Sequence, residues 1–315
     1  MQGYIVRRLL LMVPALLGVT LFVFLLTRFT PADVVDRLTG EVGYQDEALK
    51  QQIREELGLN QGVLVQYFKW LGGVLRLDLG ESFISGREIW GELKNRVPVS
   101  VELGVLGMLF SIAFGIPIGI ISAIRQDTWL DYLLRGGSIL LLAVPVFFLA
   151  ISVLAVGAWQ FDWAPPSRYT PPWEDLQNNL AIMATPAIIL GLALSGAKIR
   201  LTRTQMLEVL RQDYIRTAWA KGLNERVVIV RHALRNALIP VVTVIGLQIP
   251  VLVAGAVILE NIFLLPGVGR FLVASAASFD YPVVQAITLL IAGVVMVSNL
   301  LVDLSYAALD PRVRY

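Results

Sequence analysis

The residues able to do chemistry are few. A single histidine, His232, excludes any site built on several imidazoles, and the absence of cysteine excludes thiolate metal sites and disulfides. Neither H-E-x-x-H nor G-x-S-x-G occurs. The stretch "GLALSGAKI", Gly191–Ile199, has the outline of a phosphate-binding loop, but Ala197 stands at the lysine position, Lys198 comes one residue late, and the Ser or Thr that would hold Mg is missing. "GVGRFL", after Pro266, lacks the third glycine of a dinucleotide fingerprint and reads as a turn. What remains is "RTAWAKGLNERVVIVRHALRNALIP", Arg216–Pro240, with five Lys or Arg against one Glu. Within it His232 reads as a cation or hydrogen-bonding group on a helical surface.

The elements that must carry this basic stretch are apolar. Of 315 residues 56% are hydrophobic and 16% charged, too greasy for an ordinary soluble domain. Six runs approach or exceed the ~20 apolar residues needed to cross a bilayer: about Leu9–Phe29, Val99–Ile124, Leu133–Trp159, Leu180–Ala197, Ala237–Leu259 and Val283–Ser305. The first follows Arg7 and Arg8, but it is longer than the apolar region of a signal peptide and no A-x-A site follows, so it reads as a retained helix. The fold class expected is all-α and polytopic, with six transmembrane helices.

Loop charge sets the orientation. Lys and Arg against Asp and Glu number 8 to 11 in Pro31–Pro98, 1 to 3 in Gln160–Asn179, and 9 to 3 in Lys198–Asn236. Basic residues collect on the cytoplasmic side of short loops, so residues 198–236 are expected inside and the other two loops outside. Both termini then fall in the cytoplasm, in keeping with Arg7 and Arg8 at one end and Arg312 and Arg314 at the other. The chain divides into a first helix (1–30), an extracytoplasmic helical loop (31–98) and a core of five spans with the basic loop (99–315).

The first outer loop reads as folded. In "DEALKQQIREELGLN" Asp46 is a candidate N-cap, Leu49, Ile53 and Leu57 share a face, and Gly58 stops the helix. "QGVLVQYFKWLGGVLRLDLGES" gives a second apolar helix ending near Gly72 and Gly73, and "REIWGELKNRVP" suits a helix along the outer interface with Trp90 at headgroup depth. These make a small extracytoplasmic cap. The second outer loop, "QFDWAPPSRYTPPWED", reads as a rigid turn rich in Pro and Trp.

Polar groups inside spans are costly, about 2.5–3.5 kcal/mol for a central charge on insertion scales. Glu102 lies within a turn of one end and Asp303 near another, where interfacial solvation accounts for both. Gln248 and Asn299 sit deeper and either face a water-filled pathway or hydrogen-bond a neighbouring helix. Glu102, Gln248 and Asn299 are the pathway candidates. Pro117, Pro145, Pro186 and Pro250 interrupt the spans, as does "GIPIG" at Gly115–Gly119, and such residues allow close packing and movement.

The basic loop itself reads as two helices meeting at a glycine. From about Thr204 a helix carries Leu207, Leu210, Tyr214 and Ala218 at 3- and 4-residue steps, and Gly222 ends it in a left-handed conformation. Asn224 caps the next, with Glu225 in its first turn. In that second helix Val227, Val230, Ala233, Leu234, Ala237 and Leu238 fall on one side, Arg231, His232, Arg235 and Asn236 on the other. A positive-inside signal or lipid binding explains the charge; a docking surface also explains the helix, corner and helix in sequence.

These residues resemble the permease subunits of ABC importers, whose cytoplasmic motif is E-A-A, three residues, Gly, nine residues, I-x-L-P. Arg216, Thr217 and Ala218 stand at the E-A-A positions, three residues precede Gly222, and nine more lead to "HALR" at His232–Arg235; the motif's Glu, Ile and Pro are replaced. The match is closer to the branch serving dipeptides, oligopeptides and nickel, which reads like "RTARAKGL…RHALRNALIP"; Trp219 replaces an Arg there. "GVTLFVFLLTRFTPAD", "RLDLGES" at Arg76–Ser82 and "FLLPGVGRFL…DYPVVQ…NLLVDLSYAALDPRVRY" are similar to the same branch, so the resemblance spans nearly the whole chain.

The resemblance implies a non-catalytic permease of the type I importer fold, in a bacterial or archaeal cell membrane. It implies that Arg216, Thr217, Ala218, Trp219, Lys221, Gly222, Asn224, Arg231, His232, Arg235 and Asn236 form a coupling element seated in a groove of an ATPase subunit. The implied partners are a homologous second permease, two ATP-binding cassette ATPases that hold ATP and Mg, an extracytoplasmic substrate-binding protein and the bilayer, with no nucleic acid and no cofactor in this chain. Relatives carry dipeptides, longer peptides, glutathione, nickel chelates and some sugars. The competing expectation, a secondary transporter driven by an ion gradient, calls for paired carboxylates or broken helices at mid-membrane.

Overall fold

The structure, a computed structural model, describes residues 2–29, 34–40, 47–166 and 168–309. Asp46, Arg312 and Arg314 lie outside the described residues. Within them the elements are helices: α1 Gln2–Phe29, α2 Val34–Gly40, α3 Glu47–Glu56, α4 Val63–Leu75, α5 Ile89–Ile124, α6 Trp129–Ala143, α7 Val146–Phe161, α8 Leu176–Leu210, α9 Asp213–Ala220, α10 Glu225–Val227, a π-helical segment Val228–Leu234, α11 Arg235–Leu247, α12 Ile249–Ile262, α13 Val268–Ala277 and α14 Tyr281–Leu309. Five continuous helical stretches are long and apolar enough to span a membrane: Val6–Phe29, Ile89–Ile124, Leu176–Leu210, Glu225–Leu247 and Tyr281–Leu304. The pair α6 and α7, bent by 101° where they meet, is long and apolar enough to make a sixth when taken together.

The bend falls at Pro145, one of the prolines expected to interrupt the span Leu133–Trp159. Val144 is extended and Pro145 caps α7, because the ring of a proline pushes the residue before it out of the helical region. Not every proline acts so. Pro117 lies within unbroken α5, and Pro186 lies within unbroken α8. The expected span Ala237–Leu259 is also interrupted, at Gln248, where Pro250 in the first turn of α12 has no N–H to continue the ladder.

Two compact units divide the chain, residues 1–100 with 266–297, and 101–265 with 298–314. In the first, α2, the α3 side and α14 share a small core of Val34, Val35 and Tyr281, against which Ile53 and Leu57 pack. Gly58, with φ +67°, ends the α3 region as expected. The first loop is therefore folded, although α4 runs on past Gly72 and Gly73 to Leu75. "REIWGELKNRVP" is not a separate interfacial helix: from Ile89 it is the opening of α5, which passes through Pro98 without a break. Trp90 there lies under the Lys94 ammonium, 5.6 Å from the ring centroid. "GVGRFL" is likewise not a turn; Gly267 precedes α13, whose Val268 N–H donates to Ser100 Oγ at 2.8 Å, and Val268 joins a core with Ile89, Leu93, Val283 and Ile287.

In the second unit α8 is the central helix, with a mostly buried middle. Glycines let its neighbours come close. A Cβ on Gly191 would stand 2.8 Å from the Gly107 carbonyl of α5, one on Gly119 2.8 Å from the Ile199 carbonyl of α8, and one on Gly196 2.8 Å from the Ser138 carbonyl of α6. Gly115 of "GIPIG" meets Lys198 and Ser195 in the same way. The glycines of the phosphate-loop look-alike thus serve helix packing.

Candidate functional site

The basic stretch forms a helix, a corner and a second helix within the second unit. The expected single helix from Thr204 to Gly222 is two: α8 stops at Leu210, Arg211 and Gln212 intervene, and α9 begins at Asp213. The break re-aims the surface, so Ile215 and Ala218 are buried while Tyr214 is exposed.

Gly222 ends α9 at φ +74°. Its N–H donates to the Trp219 carbonyl at 2.9 Å and that of Leu223 to the Ala218 carbonyl at 3.4 Å, the bond pair of a Schellman stop, with Leu223 packed on the core that holds Ala218. No atom lies within 4 Å of where a Cβ on Gly222 would stand, so backbone conformation and not crowding selects glycine here. Asn224 then caps α10, its side-chain oxygen accepting from the Arg226 N–H at 3.1 Å, with Glu225 in the first turn as expected.

The second helix corrects the expected faces. Val227 and Val230 are exposed, and the buried positions are Val228, Ala233, Ala237 and Val241. The step from 228 to 233 is five residues because the π segment carries one more residue per turn than an α-helix. These side chains close over Met206, Ile215, Ala218 and Ala123, which form the floor of the corner.

Above that floor Arg216, Thr217, Trp219, Lys221, Gly222, Asn224, Arg231, Arg235 and Asn236 are exposed, His232 is half-buried and Ala218 is buried. Thr217 Oγ1 donates to the Asp213 carbonyl at 3.0 Å, and Asn236 Nδ2 donates to Tyr214 Oη at 2.8 Å, tying the two helices together. Trp219, Val227 and Val230 add apolar area to this cationic surface.

Two of the nine basic residues counted in this loop are spent inside the fold, and the count alone did not reveal them. Lys198 is fully buried in α8 and donates from Nζ to Gln248 Oε1. Arg203 grips the buried Asp131 of α6 with two bonds, Nε to Oδ1 at 2.8 Å and Nη2 to Oδ2 at 2.7 Å. Ser122 Oγ donates to the same carboxylate at 2.5 Å and the Asp127 N–H at 3.1 Å, so the α5–α6 turn is fastened to α8. The signals were Thr128-x-x-Asp131, a cap with an acid in the first turn, and a lysine standing in an apolar run.

The pathway candidates are not linked to one another by hydrogen bonds. Glu102 is half-buried in α5 and accepts from Tyr169 Oη at 2.7 Å. Burial, with the Glu102 carboxylate beside it, pushes the Tyr169 hydroxyl pKa up. Gln248 takes the second of its two alternatives, bonding a neighbouring helix: besides Lys198 it donates to the Leu194 carbonyl at 3.3 Å. Asn299 is exposed. The Pro-rich loop before α8 is held by Asn178 and Asn179, whose amides donate to Arg168 and Thr170.

Residues 115–315 match the family described as binding-protein-dependent transport system inner membrane component, and residues 1–104 match the N-terminal component of such systems. The chain belongs to this family of transport permeases. It is 38% identical, over all of its own length and 99% of theirs, to the dipeptide transport system permease proteins DppB of Escherichia coli K12 and of Escherichia coli O157:H7. The recognised class is thus a multi-pass permease of the peptide ABC importer type, with the type I fold. The bent α6–α7 pair is a broken helix of the kind a secondary transporter would need, but its one acidic residue, Asp131, is held by Arg203 and not by a second carboxylate.

Proposed function

We propose that the chain is the permease subunit of an ATP-driven importer of di- or oligopeptides, lining the translocation pathway together with a homologous second permease. The observation that carries the coupling part is the corner at Gly222: a rigid stop, a capped second helix and a buried floor present Arg216, Trp219, Lys221, Asn224 and Arg231 outward as one surface. Thr217, Ala218 and Asn236 hold that surface in shape, and His232 and Arg235 extend it. A groove on a cytoplasmic ATPase subunit receives it, so closure of two ATPases around ATP and Mg moves this corner and, through the packed floor, the ends of α5 and α8. The basic loop and both termini face the cytoplasm, and an extracytoplasmic binding protein delivers the peptide. Glu102 and Asn299 are the polar groups assigned to the pathway, while Gln248 is held against α8 by Lys198 and the Leu194 carbonyl.

The absence of cysteine makes the test direct. Lys221→Cys should form a specific crosslink to an ATPase subunit in membranes of the producing cell, and the crosslink should weaken or strengthen with ATP. A crosslinked product containing no ATPase would overturn the docking assignment, and uptake of labelled dipeptide that needs no ATP would overturn the importer reading.

A further inference from the structure

We propose that α4 is sunk within the membrane, in the leaflet reached by the C-terminal end of α1, with lipid acyl chains covering the face formed by Leu64, Phe68 and Leu75. By its place in the first loop this helix belongs to a cap expected outside the bilayer. Its position against α1 says otherwise. Tyr67, the buried residue of α4, bonds Thr20 through its hydroxyl at 3.1 Å and packs edge-on to Phe24 with ring centroids 5.4 Å apart. Trp70 reaches the same Phe24 at 6.4 Å.

Those two α1 residues are not at the end of the span. At about 1.5 Å per residue the span Val6–Phe29 is about 36 Å long against a hydrocarbon core of about 30 Å, so even with all of the excess at its C-terminal end Thr20 lies inside the core. Phe24 then lies roughly 7 Å, and Thr20 roughly 14 Å, inside the end at Phe29. A helix whose middle touches both sits at acyl-chain depth.

Its side chains are sorted to match. Leu64, Phe68 and Leu75 recur at helical spacing and are 66%, 64% and 78% exposed, continuous in character with Leu17, Leu21, Phe22 and Leu26 exposed on α1. In water such a row is an unexplained apolar patch; beside a span it is the same lipid-facing surface continued. The opposite side, Gln66, Lys69, Trp70 and Gly73, lines a cavity of about 480 Å³ whose wall includes Asp78 and Glu81. Beside it the Gln66 side-chain oxygen and the Trp70 indole N–H are buried without a protein partner. The helix thus separates acyl chains from a polar recess.

The test places single cysteines in the full chain, purified with the subunits that accompany it and reconstituted in phosphatidylethanolamine and phosphatidylglycerol vesicles. Spin labels at Leu64→Cys and Phe68→Cys should relax more with oxygen than with a water-soluble nickel chelate, as at Phe22→Cys on α1, while Glu55→Cys shows the reverse. Greater relaxation by the nickel chelate at 64 and 68 would put α4 in water. Weak relaxation by both agents would put it under another protein surface. Either result overturns the proposal and leaves the transport reading untouched.

Discussion

Ser82 donates its hydroxyl proton to Asp280 at 2.5 Å, joining residues 198 positions apart in the chain. The Phe83 N–H adds a second bond to the other carboxylate oxygen at 3.0 Å. The contact fastens the "RLDLGES" segment to the "DYPVVQ" segment, two motifs of the peptide branch that sequence alone left unconnected.

Burial raises the Asp280 pKa above the ordinary carboxylate value, against the opposing pull of Ser82 and the backbone donors of Phe83 and Ile84. Just above that ordinary value the folded protein keeps a proton the unfolded chain has already released. Stability at this contact therefore falls as pH rises through the window. Hydrogen-exchange protection at Phe83–Ser85 should be greater near pH ~4 than near ~6.5, and Asp280→Asn should flatten the difference. Equal protection of the wild-type amides at both values would contradict this.

Gly222 offers the sharpest separation of fold from function. A β-branched residue at φ +74° costs about 1–2 kcal/mol, and nothing lies close enough for a clash to add to it. Gly222→Val should insert and assemble nearly normally, with substrate-stimulated ATP hydrolysis and uptake largely lost. Gly222→Asn, which tolerates the left-handed region, should keep most of both. Wild-type rates in the valine variant would remove Gly222 from the coupling machinery.

Asp131 and Arg203 should behave as a unit. Removing the guanidinium alone strands a fully buried carboxylate, a loss of about 3–5 kcal/mol, whereas replacing both partners with apolar residues costs less. Arg203→Met should thus lower the thermal midpoint in detergent more than the double variant Asp131→Leu with Arg203→Met. The opposite ranking would mean the pair carries little of the α6–α8 attachment.

Orientation is open to labelling. Ser82, in the loop expected outside, is buried against Asp280 and makes a poor probe. Its exposed neighbour Ser85 is the suitable site. In intact cells an impermeant maleimide should modify Ser85→Cys and spare Asn224→Cys. Labelling of position 224 alone would invert the proposed topology.

The corner was readable because capping is local chemistry: a glycine after an apolar helix and an asparagine before the next carry their meaning within a few residues. The faces of the second helix were not, since a 3.6-residue template cannot anticipate one extra residue at Val228–Leu234. Charge counting failed at Lys198 and Arg203 for a different reason. Position on the chain says nothing about a partner 50 or 72 residues away, and here those partners are what pull the two cations out of water. Pro145 breaks its span while Pro117 and Pro186 lie within unbroken helices, a difference that residue type alone does not reveal.

The π segment has a geometric consequence for the surface it follows. One surplus residue in a helix amounts to about 100° of rotation, so α10 presents its side chains a quarter-turn and more away from where a regular continuation of α11 would aim them. Val228 is turned under and Val227 and Val230 are turned out by that offset. The segment works like an indexed joint between a spanning rod and its end fitting. Deleting a single residue there would leave the rod in place and swing the fitting to a new heading.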